Sequence, residues 1–333
     1  MNKHKTHGTL SVTLALIGNA SITIIKFLGW AMSGSSALFS ESIHSFADTM
    51  NQSLLLVGIK RSVKKADDEH TYGYGQERFL WALISACGIF FLGAGVTVYH
   101  GITTLTHPVR AEISLITFLI LIASLVIESF TLYIATRELR RGFPKVKFKK
   151  ILEEGDPTTI AVIYEDGVAV LGVLVAIISI APTKITGQLY WDSIGSIIIG
   201  LMLAVVAVIL INKNRDFLLH KAIPEDVQDG ILEILEAEPA IEKVVDFKST
   251  ILDVGAYHVK CEIEFNGSHL LKHIQTDLRD EFEDIDGDFE EFKKFSARFI
   301  DRIPRLVGSH INRIEERVQK KFPSIIHIDI EIN

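Results

Sequence analysis

The sequence predicts a membrane-embedded, all-α six-helix bundle followed by a small C-terminal α+β domain. Three observations carry that prediction. Six apolar stretches long enough to cross a bilayer fall in the first two thirds of the 333 residues. The loops between them alternate between basic and almost uncharged. The final third is strongly charged and carries alternating apolar and polar residues, the mark of half-buried strands. A hydrophobic content of 48% and a mean hydropathy of +0.30 suit a membrane domain joined to a soluble one.

The spans are expected at roughly 9–32, 37–60, 79–104, 113–137, 158–182 and 189–212. Pro108, Pro144, Pro157 and Pro182 lie between them or at their ends, and Pro224, Pro239, Pro304 and Pro323 lie beyond them. That placement agrees with uninterrupted helices. Lys3 and Lys5 precede the first span; Lys60, Arg61, Lys64 and Lys65 follow the second. Arg137, Arg140, Arg141, Lys145, Lys147, Lys149 and Lys150 follow the fourth, whereas the alternate loops hold only Arg110 and Lys184. The positive-inside rule then places both termini in the cytoplasm. The first span has no credible small-residue cleavage site and reads as retained. That and the length favour a prokaryotic plasma (inner) membrane.

Residues 1–212 are therefore the expected membrane domain, 213–222 a connector and 223–333 a cytoplasmic domain. Pro224-Glu225-Asp226 opens a helix running to about Glu238, with proline and acids in its first turn. Lys243–Leu252, Tyr257–Phe265 and Ser324–Ile332 alternate as strands. In the last, Ile326, Ile328, Ile330 and Ile332 are expected inward and His327, Asp329 and Glu331 outward. The region 268–322 is expected to be mostly helical. Its Asp284-Ile285-Asp286-Gly287-Asp288 run is not a calcium loop, because Gly287 in the sixth position would put Phe282 first and Lys293 twelfth. Cys87 and Cys261 sit in different environments and predict neither a disulfide nor a thiolate zinc site. A formal net charge of −7 argues against nucleic-acid binding. The absence of His-Glu-x-x-His, or of any defensible intramembrane nucleophile arrangement, argues against an enzyme.

The chemistry lies in the spans. His44 and Asp48 are one helical turn apart and share a face, and an imidazole with a carboxylate is half of a divalent metal site. Ionisable groups in hydrocarbon cost several kcal/mol, so they are rarely there without a task. Asp166 in the fifth span is the chosen partner, with Glu165 beside it as a fourth ligand or proton carrier. Glu165 and Asp166 are about 100° apart around a helix.

Ser40-Glu41-Ser42-Ile43-His44-Ser45-Phe46-Ala47-Asp48 and Asp67-Asp68-Glu69-His70-Thr71-Tyr72-Gly73-Tyr74-Gly75-Gln76-Glu77-Arg78 resemble the cation diffusion facilitator family, and within it the zinc transporter 9 branch. Tyr164-Glu165-Asp166-Gly167-Val168-Ala169-Val170-Leu171-Gly172 and Trp191-Asp192-Ser193-Ile194-Gly195-Ser196 extend the match. The resemblance implies six spans, a cytoplasmic ferredoxin-like domain, a homodimer and export of zinc by proton antiport, without an organic cofactor. It implies a transport site in which His44, Asp48 and Asp166 match family positions, while Val162 stands where the family has a further His. Glu165, Glu41, Glu128 or water is left to supply the fourth contact. Glu41 otherwise reads as a gating ligand or helix-pairing carboxylate, Glu128 as a proton relay or helix-pairing group, and Lys26 as the partner of one of these acids. Asp192 reads as an N-cap of the sixth span. By the same resemblance, Asp67 and His70 are candidates for a second ion, although Tyr74 stands where relatives carry a His. In the soluble domain, His258 and His327 with Asp329, and His269 with His273, are further candidates. Small residues Gly88, Gly93, Gly95, Ser196 and Gly200 are expected to let the third and sixth spans approach closely. Manganese, iron or cobalt as cargo, and a non-transporting metal-sensing scaffold, are the alternatives.

Overall fold

The computed structural model describes residues 4–108, 112–142, 157–285 and 287–333. Arg110 and the basic run from Lys145 to Lys150 lie outside them. Two compact units divide at Leu219/His220.

Among the described residues the first unit holds six long helices: α1 His4–Ser33, α2 Ser36–Ser62, α3 Glu77–Thr106, α4 Leu115–Gly142, α5 Pro157–Thr186 and α6 Tyr190–Leu218. Among the described residues four stretches are long and apolar enough to cross a membrane: Glu77–Thr106, Leu115–Arg137, Val162–Thr186 and Tyr190–Leu218. Their outward faces expose Phe91, Leu119, Ile178 and Val205. So much apolar surface is out of place in water and at home against lipid. This unit is a helical membrane domain. α2 is too polar to join the four by composition, because Glu41, His44, Asp48 and many serines interrupt it. Glu41, His44 and Ser40, Ser42 and Ser45 are buried and Asp48 is half-buried, and α2 packs on α1, α5 and α6, so this face of α2 is lined by protein.

Close packing here has particular causes. A Cβ on Gly200 would fall 2.6 Å from Val98, and one on Gly101 would fall 2.7 Å from Ile197, so α3 and α6 meet almost backbone to backbone. Ser196 adds hydroxyl contacts to Ser40 at 2.6 Å and to the Thr97 carbonyl at 3.3 Å. Gly88 has nothing within 4 Å of its added Cβ, and at Gly93 and Gly95 the contacts are ordinary ones of 3.6 Å or more. The approach expected of all three glycines thus falls to Gly200 and to Gly101, one helical face further along. α3 also carries a π-helical segment, Ile89–Gly95, a form that inserts an extra residue per turn and rotates the helix beyond it.

The helices outrun their expected limits. α5 continues one turn past Pro182, and α6 runs through most of the expected connector to Leu218. Asp192 does not cap α6, whose N-cap is Leu189. It reaches across to the start of α2 and accepts from the Ser36 and Ala37 amides at 2.5 and 3.1 Å and from the Ser35 hydroxyl at 2.8 Å. The four open amides of a helix start are satisfied by whichever carboxylate the fold presents, and here it comes from another helix.

In the second unit α7 (Glu225–Glu236) precedes β1 (Ile241–Asp253) and β2 (Ala256–Phe265). Helices α8 (Gly267–Ile285) and α9 (Phe289–Lys321) lead to β3 (Ile325–Ile332). The sheet order is β1-β2-β3, antiparallel between β1 and β2 and parallel between β2 and β3. Gly255, at φ +71°, closes the β1–β2 turn in a conformation that glycine adopts without strain. Parallel pairing needs a crossover, and α8 and α9 supply it. β3 departs from strict alternation. Tyr257 pairs with Ile325 and His258 with His327, so Ile326 is skipped and bulges outward. Ile325 is buried and Ile326 exposed, the reverse of the expected facing, and Ile332 is exposed at the strand end. One inserted residue flips the side chains that precede it.

Candidate metal-transport site

α2 places Glu41, His44, Asp48 and Asn51 along one stripe, at spacings of three and four residues. Around this stripe stand Lys26 of α1, Ser85 of α3, Glu128 of α4 and Glu165 and Asp166 of α5.

The Lys26 ammonium, fully buried, donates to Glu41 Oε2 at 2.9 Å and to Glu128 Oε1 at 2.6 Å. One lysine thereby ties α1 to α2 and α4 and engages two of the three acids that the sequence offers for a fourth contact. Glu41 is also covered by α5: a Cβ on Gly172 would strike its Oε1.

His44 lies 2% exposed, with its Nε2 3.6 Å from Asp48 Oδ2. Neither ring nitrogen has a hydrogen-bond partner among the described residues. Buried polar atoms without partners are uncommon and require a reason. Glu165 accepts at Oε2 from Asn51 Nδ2 at 2.5 Å, and Ser85 Oγ donates to Asn51 Oδ1 at 2.5 Å. Glu165 Oε1 has no hydrogen bond among the described residues. Asp48 lies within electrostatic reach of Glu165, Asp166, Glu128 and Lys26, and Asp166 faces Glu128 and Thr131. The fold therefore brings His44, Asp48, Glu165 and Asp166 into one neighbourhood between α2 and α5. It does not close them into a coordination shell: among the described residues no three His, Cys, Asp or Glu side chains stand together as a metal site. Val162, a turn before Asp166 on α5, adds no donor.

The Asn51–Ser85 chain was missed by sequence reasoning. Its signal was present, since Asn51 continues the His44–Asp48 stripe three residues on, but an amide is not a metal ligand by type.

Asp67 and His70 fall in the exposed loop between α2 and α3. Asp67 accepts from Lys64 at 2.8 Å, from the Tyr74 hydroxyl at 2.8 Å and from the His70 amide at 2.9 Å. Lys64 and then Tyr74 hold its carboxyl well below the usual range. His70 Nδ1 is 3.8 Å from Asp67, and Gly73 turns the chain at φ +82°. The carboxylate is committed to building the loop. On the sheet, His258 Nε2 meets Asp329 Oδ2 at 2.8 Å, and the His327 ring lies 6.1 Å from that of His258. His269 stacks edge-on toward His310 at 6.4 Å, and the side chain of His273 lies outside the described ones. Burial pushes the Cys261 thiol up to about 12, so it offers no thiolate.

Residues 12–219 match the model of the cation efflux transmembrane domain. This chain belongs to the cation efflux family. Among its relatives, the mitochondrial proton-coupled zinc antiporter SLC30A9 of Mus musculus is 38% identical over 96% of this chain, and its Homo sapiens counterpart is likewise 38% identical over 96%. Metal tolerance protein C4 of Arabidopsis thaliana is 32% identical over 98% of this chain and 73% of its own length. The chain spans 58% of the length of the mouse and human proteins. Within the cation efflux domain lie all of α2, α5 and α6, and with them every buried acid described above.

Proposed function

We propose that this protein exports a divalent metal ion, most naturally zinc, from the cytoplasm in exchange for protons. It does so as a homodimer of six-span protomers, with both termini cytoplasmic and the C-terminal unit acting as a ferredoxin-like cytoplasmic domain. The observation that carries this reading is the His44–Asp48–Glu165–Asp166 neighbourhood between helices, in which His44 and Glu165 are buried with unpartnered atoms and Asp48 and Asp166 are half-buried. The zinc-antiporter names of the relatives support the cargo and the coupling. α1 and α2 complete six spans because their lengths, 30 and 27 residues, suffice. Lys60 and Arg61 at the end of α2 support a cytoplasmic loop there. The mouse and human relatives are mitochondrial by name. That speaks against the prokaryotic inner membrane, which is not carried into this proposal.

In the proposed cycle, zinc takes nitrogen from His44 and oxygen from Asp48 and Asp166. Glu165, held by Asn51, is the fourth ligand or the proton carrier. Ligands must shed protons to bind metal, so protons arriving from the opposite side release it. Coupling requires that the site bind differently in two states of the bundle. This is transport, and no bond in a substrate is made or broken.

The test is zinc uptake into proteoliposomes under an imposed pH gradient. Gradient-driven flux is expected in the wild type and a loss of about 100-fold or more in Asp48→Ala and in Asp166→Ala. Absence of flux for zinc, manganese, iron and cobalt alike would defeat the proposal in favour of a metal-sensing scaffold.

A further inference from the structure

The hairpin formed by α8 and α9 has two halves. From Ile303 onward α9 is core: Val307 is buried with Leu270 and Ala240, and Ile303, Leu306 and Ile311 pack on them. The apolar stripe does not stop there. Counting back by threes and fours, it continues through Phe299, Phe295 and Phe292, whose rings contact one another at 5.8 and 6.4 Å. In this half Phe295 and Phe299 are half-buried, and the stripe opens at Phe292 and Phe289, with Phe282 and Ile300 exposed beside it. Phe282 is 75% exposed, Phe289 72%, Phe292 49% and Ile300 69%. Outside a bilayer, that much aromatic surface on one two-helix tip is a docking surface rather than ordinary scatter.

Charge selects the occupant. Residues 281–291 carry seven acids and no base, and residues 292–305 carry five bases and one acid. An acidic tip that leads directly into a basic shaft is complementary to itself when reversed. We infer that the α8–α9 tip is a homotypic docking surface, on which a second copy of this chain packs antiparallel to form a four-helix bundle. A two-fold axis near Phe295 sets Phe292 of one copy against Phe299 of the other. The same axis brings Glu291 beside Arg298 of the second copy. Facing hairpins bury both aromatic stripes at once, which neither hairpin does alone. Arg302 is held by Glu281 and Arg305 by Asp301 within the hairpin, which leaves Arg298 and the exposed pairs Lys294–Glu291 and Lys293–Glu290, weak enough to exchange, for contacts across the axis. An anionic lipid surface fits poorly, because residues 281–291 carry seven acids and no base.

The inference rests on the proposed homodimer only for its second copy, and its readout is separate from zinc flux. The full chain carrying Ser296→Cys, with Cys87→Ser and Cys261→Ser, is placed in neutral-lipid nanodiscs holding two copies and treated with a short bismaleimide. A covalent dimer is expected. Adding Phe292→Asp with Phe299→Asp, or Arg298→Glu alone, is expected to cut its yield at least tenfold. Mixing Glu291→Lys chains with Arg298→Glu chains is expected to restore it between unlike copies. Proteoliposome zinc flux of the Arg298→Glu chain checks that it is folded. A dimer that never crosslinks at Ser296→Cys would overturn the inference, as would yields indifferent to both charge reversals. A Phe292→Trp emission shift that follows lipid composition rather than copy number would overturn it in favour of membrane docking.

Discussion

Glu41 and Glu128 share a lysine; Asp48, Glu165 and Asp166 do not. The two groups are neighbours, with Asp48 two turns beyond Glu41 on α2, about 10 Å along the axis at 1.5 Å per residue. Both sit among apolar helices. Burying an ion costs several kcal/mol unless an opposite charge meets it. The first group carries its own cation, tethered at 2.9 and 2.6 Å, and it fastens three helices. The second group has the Asn51 amide donating to Glu165 and an imidazole without hydrogen-bond partners at His44, but no lysine or arginine bonded to it among the described residues. The difference separates an ion cluster that carries its own cation from a set of acids that carries none among the described residues. Under the proposed function the divalent ion enters the second group, because in the first it would have to displace Lys26.

The largest effect should come from breaking the first group. Lys26→Met leaves two buried carboxylates without their cation and should cost about 3–5 kcal/mol of stability, read as a lowered unfolding temperature in detergent. Adding Glu41→Gln and Glu128→Gln should return most of that loss. Equal instability of the single and triple variants would mean that Lys26 does not neutralise this pair.

Zinc itself sharpens the contrast. At 100 times its dissociation constant it should stabilise the wild type by about 2.7 kcal/mol. Glu128→Gln should keep that response and Asp48→Asn should lose it. The reverse pattern would exchange the roles of the two groups.

The smallest effect belongs to the acid that lies in neither. Asp67 is solvated, and its carboxyl is held low by Lys64 and Tyr74. A depressed folded value means that its contribution to the loop is fully present above the unfolded value, about 3.9 for an ordinary aspartate. The contribution fades as pH falls through the folded value. Proteolysis of the loop between α2 and α3 should therefore be constant from pH 8 to pH 5, and Asp67→Asn should raise it slightly across that range without altering the zinc response.

Much of this was legible along the chain. Helices long enough to span show as apolar length, because hydrocarbon leaves no other way to satisfy a backbone. His44 and Asp48 showed as a pair, because a spacing of four is a contact within one helix. The strands of the second unit showed in their alternation, except where β3 bulges at Ile326, since nothing in a run of isoleucines marks which one a neighbouring strand will skip.

What the sequence determined by itself is whatever depends on one element: helix length, the stripe on α2, the charge of loops and of the α9 tip. The tertiary structure alone decided what depends on two. It sent Asp192 to the start of α2, gave Glu41 and Glu128 to Lys26, and set Asn51 and Ser85 behind Glu165. Each of those partners is more than ten residues away in sequence. Only the packing of helices brings the two charges, or the donor and its acceptor, within the few ångströms over which such interactions act.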